Sequence, residues 1–292
     1  MATLRDLKRQ IASVKNIAKV TEALQTVSAV KFRKAEARVK RARPYAENVE
    51  QMMRDVARSA GGSSQLLTGR EGNTGNTVAI CAVTADRGLA GGFNAQVLRT
   101  TVQFRRERDA EFVQVASGRK AVAFFRFRRL DLHEVYTGFS DSPTYEKARE
   151  IGHDLTRLFN EEEADEVYLI YNRFESALTQ RPVVTRLLPV APEGDEESDD
   201  EGLPSTFMEY IPDADVILHK LVPRYVETMV WQALLESAAG EHGARMTAMK
   251  NATDNANELA RDLTLAMNKA RQAQITREIS EIAAGAEALS AG

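Results

Sequence analysis

Residues 4–60 read LRDLKRQIASVKNIAKVTEALQTVSAVKFRKAEARVKRARPYAENVEQMMRDVARSA, with one proline and no glycine. Steps of alternately three and four residues from Leu4 land on apolar side chains almost throughout; the exceptions are Thr21, Gln25 and Ser28. This heptad spacing predicts one helix about 85 Å long whose apolar seam needs a partner helix. Where the seam turns polar, we expect a neighbouring apolar stripe to replace it, made of Ile17, Val20, Leu24 and Val27.

The partner helix is predicted at the other end of the sequence. Residues 213–292 contain one proline, Pro223, and repeat the helical spacing of apolar residues as far as Leu289. If continuous, this second helix measures about 110 Å. Two long helices at opposite ends of one chain pack most simply as an antiparallel coiled coil. The longer helix should then extend alone beyond its partner.

Between the helices the sequence predicts an α/β domain over residues 77–192, after a Gly/Ser/Thr/Asn linker at 61–76 and before an acidic loop at 193–212. Short β-branched runs alternate with amphipathic stretches, which is typical of βαβ units and a largely parallel, Rossmann-like sheet. The predicted strands are 78–83, 112–116, 132–136 and 167–171, with an edge strand at 182–190. The predicted helices are 94–108, a stretch around Lys120, and 144–159.

The composition argues against several classes of function. A single cysteine, Cys81, excludes an intrachain disulfide and a multi-cysteine metal site. The four histidines lack metal-ligand spacing. No run of about 18 apolar residues is present, and the first residues lack the apolar core of a signal peptide. We therefore expect a soluble, intracellular protein without a metal or cofactor.

The charge is distributed unevenly along the chain. Residues 1–58 carry 14 Lys and Arg against 6 Asp and Glu, although the whole chain has a net charge of −3. Such a basic helix suits a nucleic-acid backbone, a solvated face or an acidic protein surface. Because the apolar seam continues beneath the charges, we favour a protein partner with an acidic surface and no nucleic acid. The basic cluster consists of Lys31, Arg33, Lys34, Arg38, Lys40, Arg41 and Arg43.

A glycine-rich loop, DRGLAGGFN at residues 86–94, follows the first predicted strand, where phosphate-binding loops stand in nucleotide-binding folds. Its spacing matches neither common phosphate-loop pattern, and no lysine follows it. A tight strand–helix turn needs glycine for close packing even where the turn binds no phosphate. We interpret the loop as a structural turn and predict that the chain binds no nucleotide. The turn residues are Asp86, Arg87, Gly88, Gly91 and Gly92.

Two acids and a histidine, Glu236, Glu241 and His242, lie close together in the second helix. Acid–base catalysis is conceivable for this set. On a lone helix there is no pocket to exclude water, so we expect no catalysis there. Met246 and Met249 are interpreted as packing residues of the seam.

Two stretches in the second helix have a distinctive sequence. ESAAGEHGARMTAMKNATDNA at 236–256 and NKARQAQITREISEI at 268–282 resemble the signature of the gamma subunit of F-type, proton-translocating ATP synthases. IASVKN at 11–16, KVTEAL at 19–24, ARPYA at 42–46 and TADRGLAGGFN at 84–94 also resemble that family, in the right order.

The resemblance implies a rotor subunit of the central stalk that is not itself catalytic. The two terminal helices would form a shaft inside the alpha/beta ring, and the central domain would contact the epsilon subunit and the c-ring. One copy would assemble with the alpha, beta, epsilon and delta-type subunits at the cytoplasmic face of a bacterial inner membrane, peripherally. A nucleotide-binding protein with coiled-coil arms and a nucleic-acid adaptor remain the alternatives.

The resemblance also implies roles for individual residues. Lys31, Arg33 and Lys34 would face an acidic lever of the beta subunit. The catch loops of beta would be contacted by Arg245, Arg271, Gln272 and Thr276. The end of the second helix would be a bearing with largely apolar, non-directional contacts. This tip comprises Ile275, Ile279, Ile282 and Leu289.

Overall fold

The computed structural model describes residues 3–59, 69, 76–190 and 214–290. Two long helices, α1 (Leu4–Ser59) and α5 (Ala214–Ser290), stand at its two ends. The elements between them are β1 (Thr77–Val83), α2 (Phe93–Arg106), β2 (Glu111–Ser117), α3 (Arg119–Phe127), β3 (Glu134–Tyr136), α4 (Tyr145–Asn160), β4 (Glu166–Phe174) and β5 (Gln180–Leu188). The predicted acidic loop lies outside the described residues, as does the predicted linker apart from Gly69 and Asn76.

The chain divides into two compact units. Residues 1–28 and 246–292 form one, called here the helical-pair unit, and residues 29–245 form the other, the sheet unit. Each long helix contributes residues to both units.

In the helical-pair unit, α1 begins with a reciprocal cap. The Asp6 N–H donates to the Thr3 hydroxyl at 3.2 Å, and the Thr3 N–H donates to the Asp6 carboxylate at 3.3 Å. The two side chains thereby satisfy main-chain donors that a helix start leaves unpaired. The acidic side chain also suits the positive end of the helix dipole.

The seam of α1 does not move to the neighbouring stripe, so that expectation was wrong. Thr21 and Ser28 are buried, whereas Ile17, Val20 and Val27 are 52%, 59% and 53% exposed. The Thr21 hydroxyl lies 2.6 Å from the hydroxyl of Thr253 on α5, and it also donates to α1's own carbonyls. A small hydroxyl can be buried in a helix–helix seam because it satisfies its hydrogen bond locally. The seam therefore continues through polar residues, and the apolar stripe lies outside it.

The sheet unit is built on a five-stranded sheet of order β3-β2-β1-β4-β5. The first four strands in this order are parallel, and β5 pairs antiparallel with β4 at the edge. The predicted, largely parallel sheet and its edge strand are confirmed. Pro182 is tolerated in β5 because an edge strand needs fewer main-chain donors.

Side chains alternate between the two faces of the sheet, each of which is covered by helices. Val78, Ile80 and Ala82 of β1 pack with α2 and α3. Ala79 and Cys81 face the other way, into a core shared with α1, α4 and α5. Burial on both faces explains why β1 is a continuous apolar run instead of an alternating one.

Within the sheet unit, α1 and α5 run antiparallel. Ala35 and Val39 of α1 cluster with Leu235 and Ala239 of α5. Further along α1, Val49, Met53 and Val56 share a core with the earlier α5 residues Leu218, Val222 and Val226. Met53 is completely buried, and truncating such a side chain to alanine typically costs about 2–5 kcal/mol. The helices are thus part of the domain core and not appendages of it.

Candidate functional site

One face of α5 is buried against the sheet unit through polar side chains. Between residues 232 and 245 its buried polar residues are Gln232, Glu236, Ser237, Glu241, His242 and Arg245. The expectation that Glu236, Glu241 and His242 lie on a lone helix was therefore wrong. A buried charge is tolerated only when it is paired or hydrogen-bonded, so the partners of these side chains define what the face does. We call this face of α5, with its partners, the polar joint.

The first contact of the polar joint is centred on Glu236. One carboxylate oxygen accepts the main-chain N–H of Phe174, at the end of β4, at 2.9 Å. The other accepts Gln232 of α5 at 2.7 Å and the Arg43 guanidinium of α1 at 3.3 Å. A single buried carboxylate therefore ties both long helices to the sheet.

The second contact is centred on Asp141, in the segment between β3 and α4. Its carboxylate pairs with the Lys31 ammonium of α1 at 2.5 Å. Its carbonyl oxygen lies 3.2 Å from Nε2 of His242, so an Nε2–H tautomer donates to it. Burial alone would raise the pKa of Asp141, but the hydrogen bond from Lys31 and nearby positive charges lower it overall. Burial lowers the pKa of His242, which favours the neutral ring.

The third contact joins α5 to the glycine-rich loop. The Arg245 guanidinium donates to the Gly88 carbonyl at 3.1 and 3.2 Å and to the Glu241 carboxylate at 2.5 Å. The Arg245 and Glu241 side chains are only 10% and 1% exposed. Planar guanidinium geometry lets one side chain serve two acceptors at once. Arg245 thus links the loop to the helix.

The glycine-rich loop is held by its own acid. The Asp86 carboxylate accepts the main-chain N–H groups of Arg119, Gly138 and Ser140 at 2.8–3.0 Å. Burial opposes the charge on Asp86, but these hydrogen bonds lower its pKa overall. The carboxylate occupies main-chain donors of the kind that a phosphate cradle would need. The absence of nucleotide binding itself stays a prediction.

Two glycines allow the close approaches around this loop. At Gly118, which has a φ of +94°, an added Cβ would lie 2.2 Å from the carbonyl oxygen of Thr84. At Gly240 of α5, an added Cβ would lie 2.9 Å from the ring of Phe93, the first residue of α2. The Phe93 carbonyl in turn accepts the Asn172 side chain at 2.8 Å. A methyl group would clash with the main chain of Thr84 at Gly118 and with the buried Phe93 ring at Gly240.

The partner-contact residues predicted from the resemblance have different surroundings. Arg33 and Lys34 are exposed on α1 in the sheet unit, whereas Lys31 is committed to Asp141 and Arg245 to Glu241. In the helical-pair unit, every residue from 271 to 284 is exposed, which includes Arg271, Gln272 and Thr276. The predicted tip residues Ile275, Ile279 and Ile282 are 47%, 62% and 73% exposed. The side chain of Leu289 lies outside the described ones.

Sequence reasoning missed the partners of the polar joint. Asp141, the Gly88 carbonyl and the Phe174 N–H are supplied by loops and a strand end, and two of these three groups belong to the main chain. The signal that was present is the density of polar side chains on one apolar helix face, Gln232 to Arg245. Buried polar residues in that density require partners.

The polar joint connects its elements through hydrogen bonds and ion pairs. Among the described residues, no three His, Cys, Asp or Glu side chains come together as a metal-binding group. In the same part of the chain, no helix has an apolar stretch that would let it cross a membrane. The joint fixes two helices, two loops and a strand end to one another.

Comparison with known proteins agrees with this arrangement. The fold is that of chains in mitochondrial ATP synthases. A chain in the Euglena gracilis OSCP/F1/c-ring structure has a TM-score of 0.69 at 18% identity, over 99% of this chain and 95% of that one. A chain in the Tetrahymena thermophila central stalk/c-ring structure has a TM-score of 0.61 at 22% identity, over 80% of this chain and 99% of that one.

The sequence comparisons are more specific. Residues 3–289 match the family model described as ATP synthase. The ATP synthase gamma chain of Rubrobacter xylanophilus is 69% identical over the whole length of both chains, and that of Pelotomaculum thermopropionicum is 45% identical over 99% and 100%. The chain belongs to the ATP synthase gamma chain family.

Proposed function

We propose that this chain is the rotor subunit of the central stalk in a bacterial ATP synthase. It carries torque between the membrane c-ring and the catalytic alpha/beta ring, and so couples proton flow to ATP synthesis. It does no chemistry itself; the catalytic sites belong to the beta subunits. The observation that carries the proposal is the polar joint, because a torque-bearing helix must be fixed to the domain through which it is turned.

The physical requirement on a rotor is to bias its partners without bonding to any of them permanently. An asymmetric shaft presents different faces to three otherwise equivalent beta subunits, and its differential contacts favour different conformations in each. A tenfold difference in nucleotide affinity needs about 1.4 kcal/mol of such bias. Exposed cations and exposed apolar residues, rather than internally satisfied ones, are suited to these transient contacts.

The exposure of the predicted contact residues refines their roles. Arg33 and Lys34 are free to meet an acidic lever of beta, whereas Lys31 would act through Asp141. Arg271, Gln272 and Thr276 would meet the catch loops of beta, and Ile275, Ile279, Ile282 and Leu289 would form the bearing tip. Arg245 would contribute to the catch contacts only through the Glu241–Gly88 arrangement that holds it.

The proposed partners are the alpha, beta, epsilon and delta-type subunits and the c-ring, with one gamma chain per complex. The chain would sit at the cytoplasmic face of the inner membrane and be attached to it only through these partners. No nucleic acid and no cofactor are part of the proposal.

Single-molecule rotation of the assembled enzyme tests the function directly. Cys81 is fully buried and its thiol pKa is raised to about 12, so an engineered surface cysteine can be labelled selectively. Leu178, 78% exposed in the turn between β4 and β5, is a suitable position for Leu178→Cys with a biotin-linked gold rod. The rod should rotate when ATP is added, and a rod on an alpha subunit should not. ATP hydrolysis with a stationary rod on gamma would refute the proposal.

A further inference from the structure

A groove on the sheet unit is not used by the polar joint. It lies between α2 and α3, on the sheet face opposite α4, and has a volume of about 580 Å³. Leu98, Val102 and Phe124 supply apolar surface to the groove, and Arg99, Arg106 and Arg128 also line it. The groove therefore has an apolar floor bordered by cations.

Other arginines in this region are already engaged within the domain. Arg108 pairs with Glu166 and with the Tyr168 hydroxyl, and Arg105 stacks over Phe112 while donating to Gln114 at 3.3 Å. By contrast, Arg99, Arg106 and Arg128 are exposed and have no carboxylate partner among the described residues. Arg128 stacks over the Phe124 ring at 5.1 Å, which leaves its N–H groups available at the edge. Three exposed cations without an ion-pair partner among the described residues thus line the groove.

The geometry of the groove fits a helix. Its walls are two helices, and a third helix packs in such a groove at an interaxial distance of about 8–10 Å. Arg99 and Arg106 are two turns apart on α2, about 10.5 Å along its axis. Phe127, one turn beyond Phe124 on α3, is 86% exposed. A guest helix would therefore need an apolar stripe with acidic residues about two turns apart on its flank.

We propose that the α2–α3 groove is a docking site for an acidic amphipathic helix of another polypeptide. The apolar stripe of the guest would cover Leu98, Val102 and Phe124, and its acids would pair with Arg99, Arg106 and Arg128. This is the helix-in-groove mode of recognition, in which apolar anchors give affinity and charges give orientation. The chain's own acidic run, EGDEESDDE at 193–201, supplies charge but no apolar side chain for the floor. That the occupant is another subunit of the same assembly rests on the proposed function, whereas the binding chemistry of the groove is tested on this chain alone.

Binding of a model peptide tests the chemistry of the groove. The probe is a fluorescent peptide of about 18 residues with leucines on one helical face and glutamates on its flanks, titrated into the full-length chain. Its control is a scrambled peptide of the same composition. The triple variant R99E/R106E/R128E should bind the amphipathic peptide at least about tenfold more weakly, given a modest contribution from each exposed charge pair.

A matched variant separates the groove from net charge. K147E/R149E/R157E makes the same change of charge on α4, on the opposite face of the sheet, and should bind the peptide as the wild type does. Val102→Lys should weaken binding without removing a cation, because it places a charge on the apolar floor. The proposal would be overturned if the wild-type chain bound the scrambled peptide as tightly as the amphipathic one. It would also be overturned if K147E/R149E/R157E lost as much affinity for the amphipathic peptide as R99E/R106E/R128E.

Photo-cross-linking in the assembled enzyme identifies the natural occupant. Gln103, which lines the groove, is replaced by p-benzoylphenylalanine, and exposed Arg149 on α4 receives the same replacement as a control. The expected product joins Gln103's position to an acidic amphipathic helix of another subunit, and R99E/R106E should abolish it. A product with residues 193–201 of the same chain, or no product at all, would contradict the proposal.

Discussion

The carboxylate of Glu236 accepts the main-chain N–H of Phe174 at 2.9 Å, so a side chain of the long helix α5 completes the hydrogen bonding at the end of strand β4. Because the same carboxylate holds Arg43 of α1, its removal leaves a buried donor and a cation without their acceptor. Both consequences are measurable.

Glu236→Ala should lower the free energy of unfolding of the sheet unit by about 2–4 kcal/mol, the cost of stranding buried polar groups. Glu236→Gln retains one oxygen for the Phe174 N–H and should cost about half as much. Urea unfolding gives the free energies, and amide hydrogen exchange at Phe174 reports the contact itself. Unchanged exchange at Phe174 in the alanine variant would show that the carboxylate does not hold the strand end.

Stability should fall in mild acid through His242. Because burial lowers the pKa of the folded-state ring below its usual value, the unfolded chain binds a proton at higher pH than the native chain. The stabilisation that comes from the neutral His242 ring is therefore fully present above about pH 6.5 and declines as the pH falls below that value. His242→Gln should flatten the stability profile between pH 7 and 5, measured by urea unfolding.

Two other histidines give a control for this pH effect. His133 and His153 are exposed, and their Gln variants control for the loss of a histidine as such. The groups facing His242 are the Asp141 and Glu241 carboxylates and the Arg245 guanidinium. If the His242→Gln profile keeps the wild-type slope, another group is responsible for it.

Exposed and paired bases of α1 should differ in their effect on coupling. R33E/K34E places like charges against the acidic lever proposed for beta, and ATP-driven proton pumping should fall roughly threefold more than ATP hydrolysis. Added salt should narrow the difference, because it screens exposed charges. Inverted membrane vesicles with equal amounts of assembled enzyme provide both rates.

Lys31→Gln is the informative comparison. It removes the Asp141 ion pair and should lower the stability of the sheet unit while leaving the salt response of coupling as in the wild type. A charge reversal on α4, K147E/R149E, should change neither rate. If R33E/K34E pumped protons and hydrolysed ATP at the wild-type rates, these bases would form only a solvated face.

The end of α5 should tolerate shortening better than charge. Deleting residues 283–292 removes non-directional contacts and should leave assembly and much of the pumping intact. I279K/I282K should be worse, because each ammonium would be desolvated in the proposed sleeve without a partner. If the truncated enzyme pumped no protons while I279K/I282K pumped at the wild-type rate, a bearing role for this tip would be excluded.

The sequence was informative wherever one periodicity dominated. The helices, the parallel sheet and the edge strand followed from runs such as Val78–Val83, which the two-sided burial of β1 explains. The prediction failed at Thr21 and Ser28, since polarity was read as an end of the seam although a small hydroxyl can bond within its own helix.

The polar joint was harder to predict for a different reason. Glu236, Glu241 and His242 were visible as a cluster, but Glu236 and His242 contact residues far away in sequence, Phe174 and Asp141. Main-chain groups such as the Gly88 carbonyl carry no residue-specific signal at all. Only the folded arrangement of loops around α5 identifies them as acceptors or donors.

Gly240 gives α5 opposite preferences in isolation and in the folded protein. As a free helix, α5 would gain about 1 kcal/mol from alanine at this position, because glycine is a poor helix former. In the sheet unit the same methyl group would meet the Phe93 ring at 2.9 Å. Helicity of an excised α5 peptide and stability of the whole chain should therefore respond to Gly240→Ala with opposite signs. A substitution that raises the helicity of the isolated α5 peptide would therefore lower the stability of the folded protein.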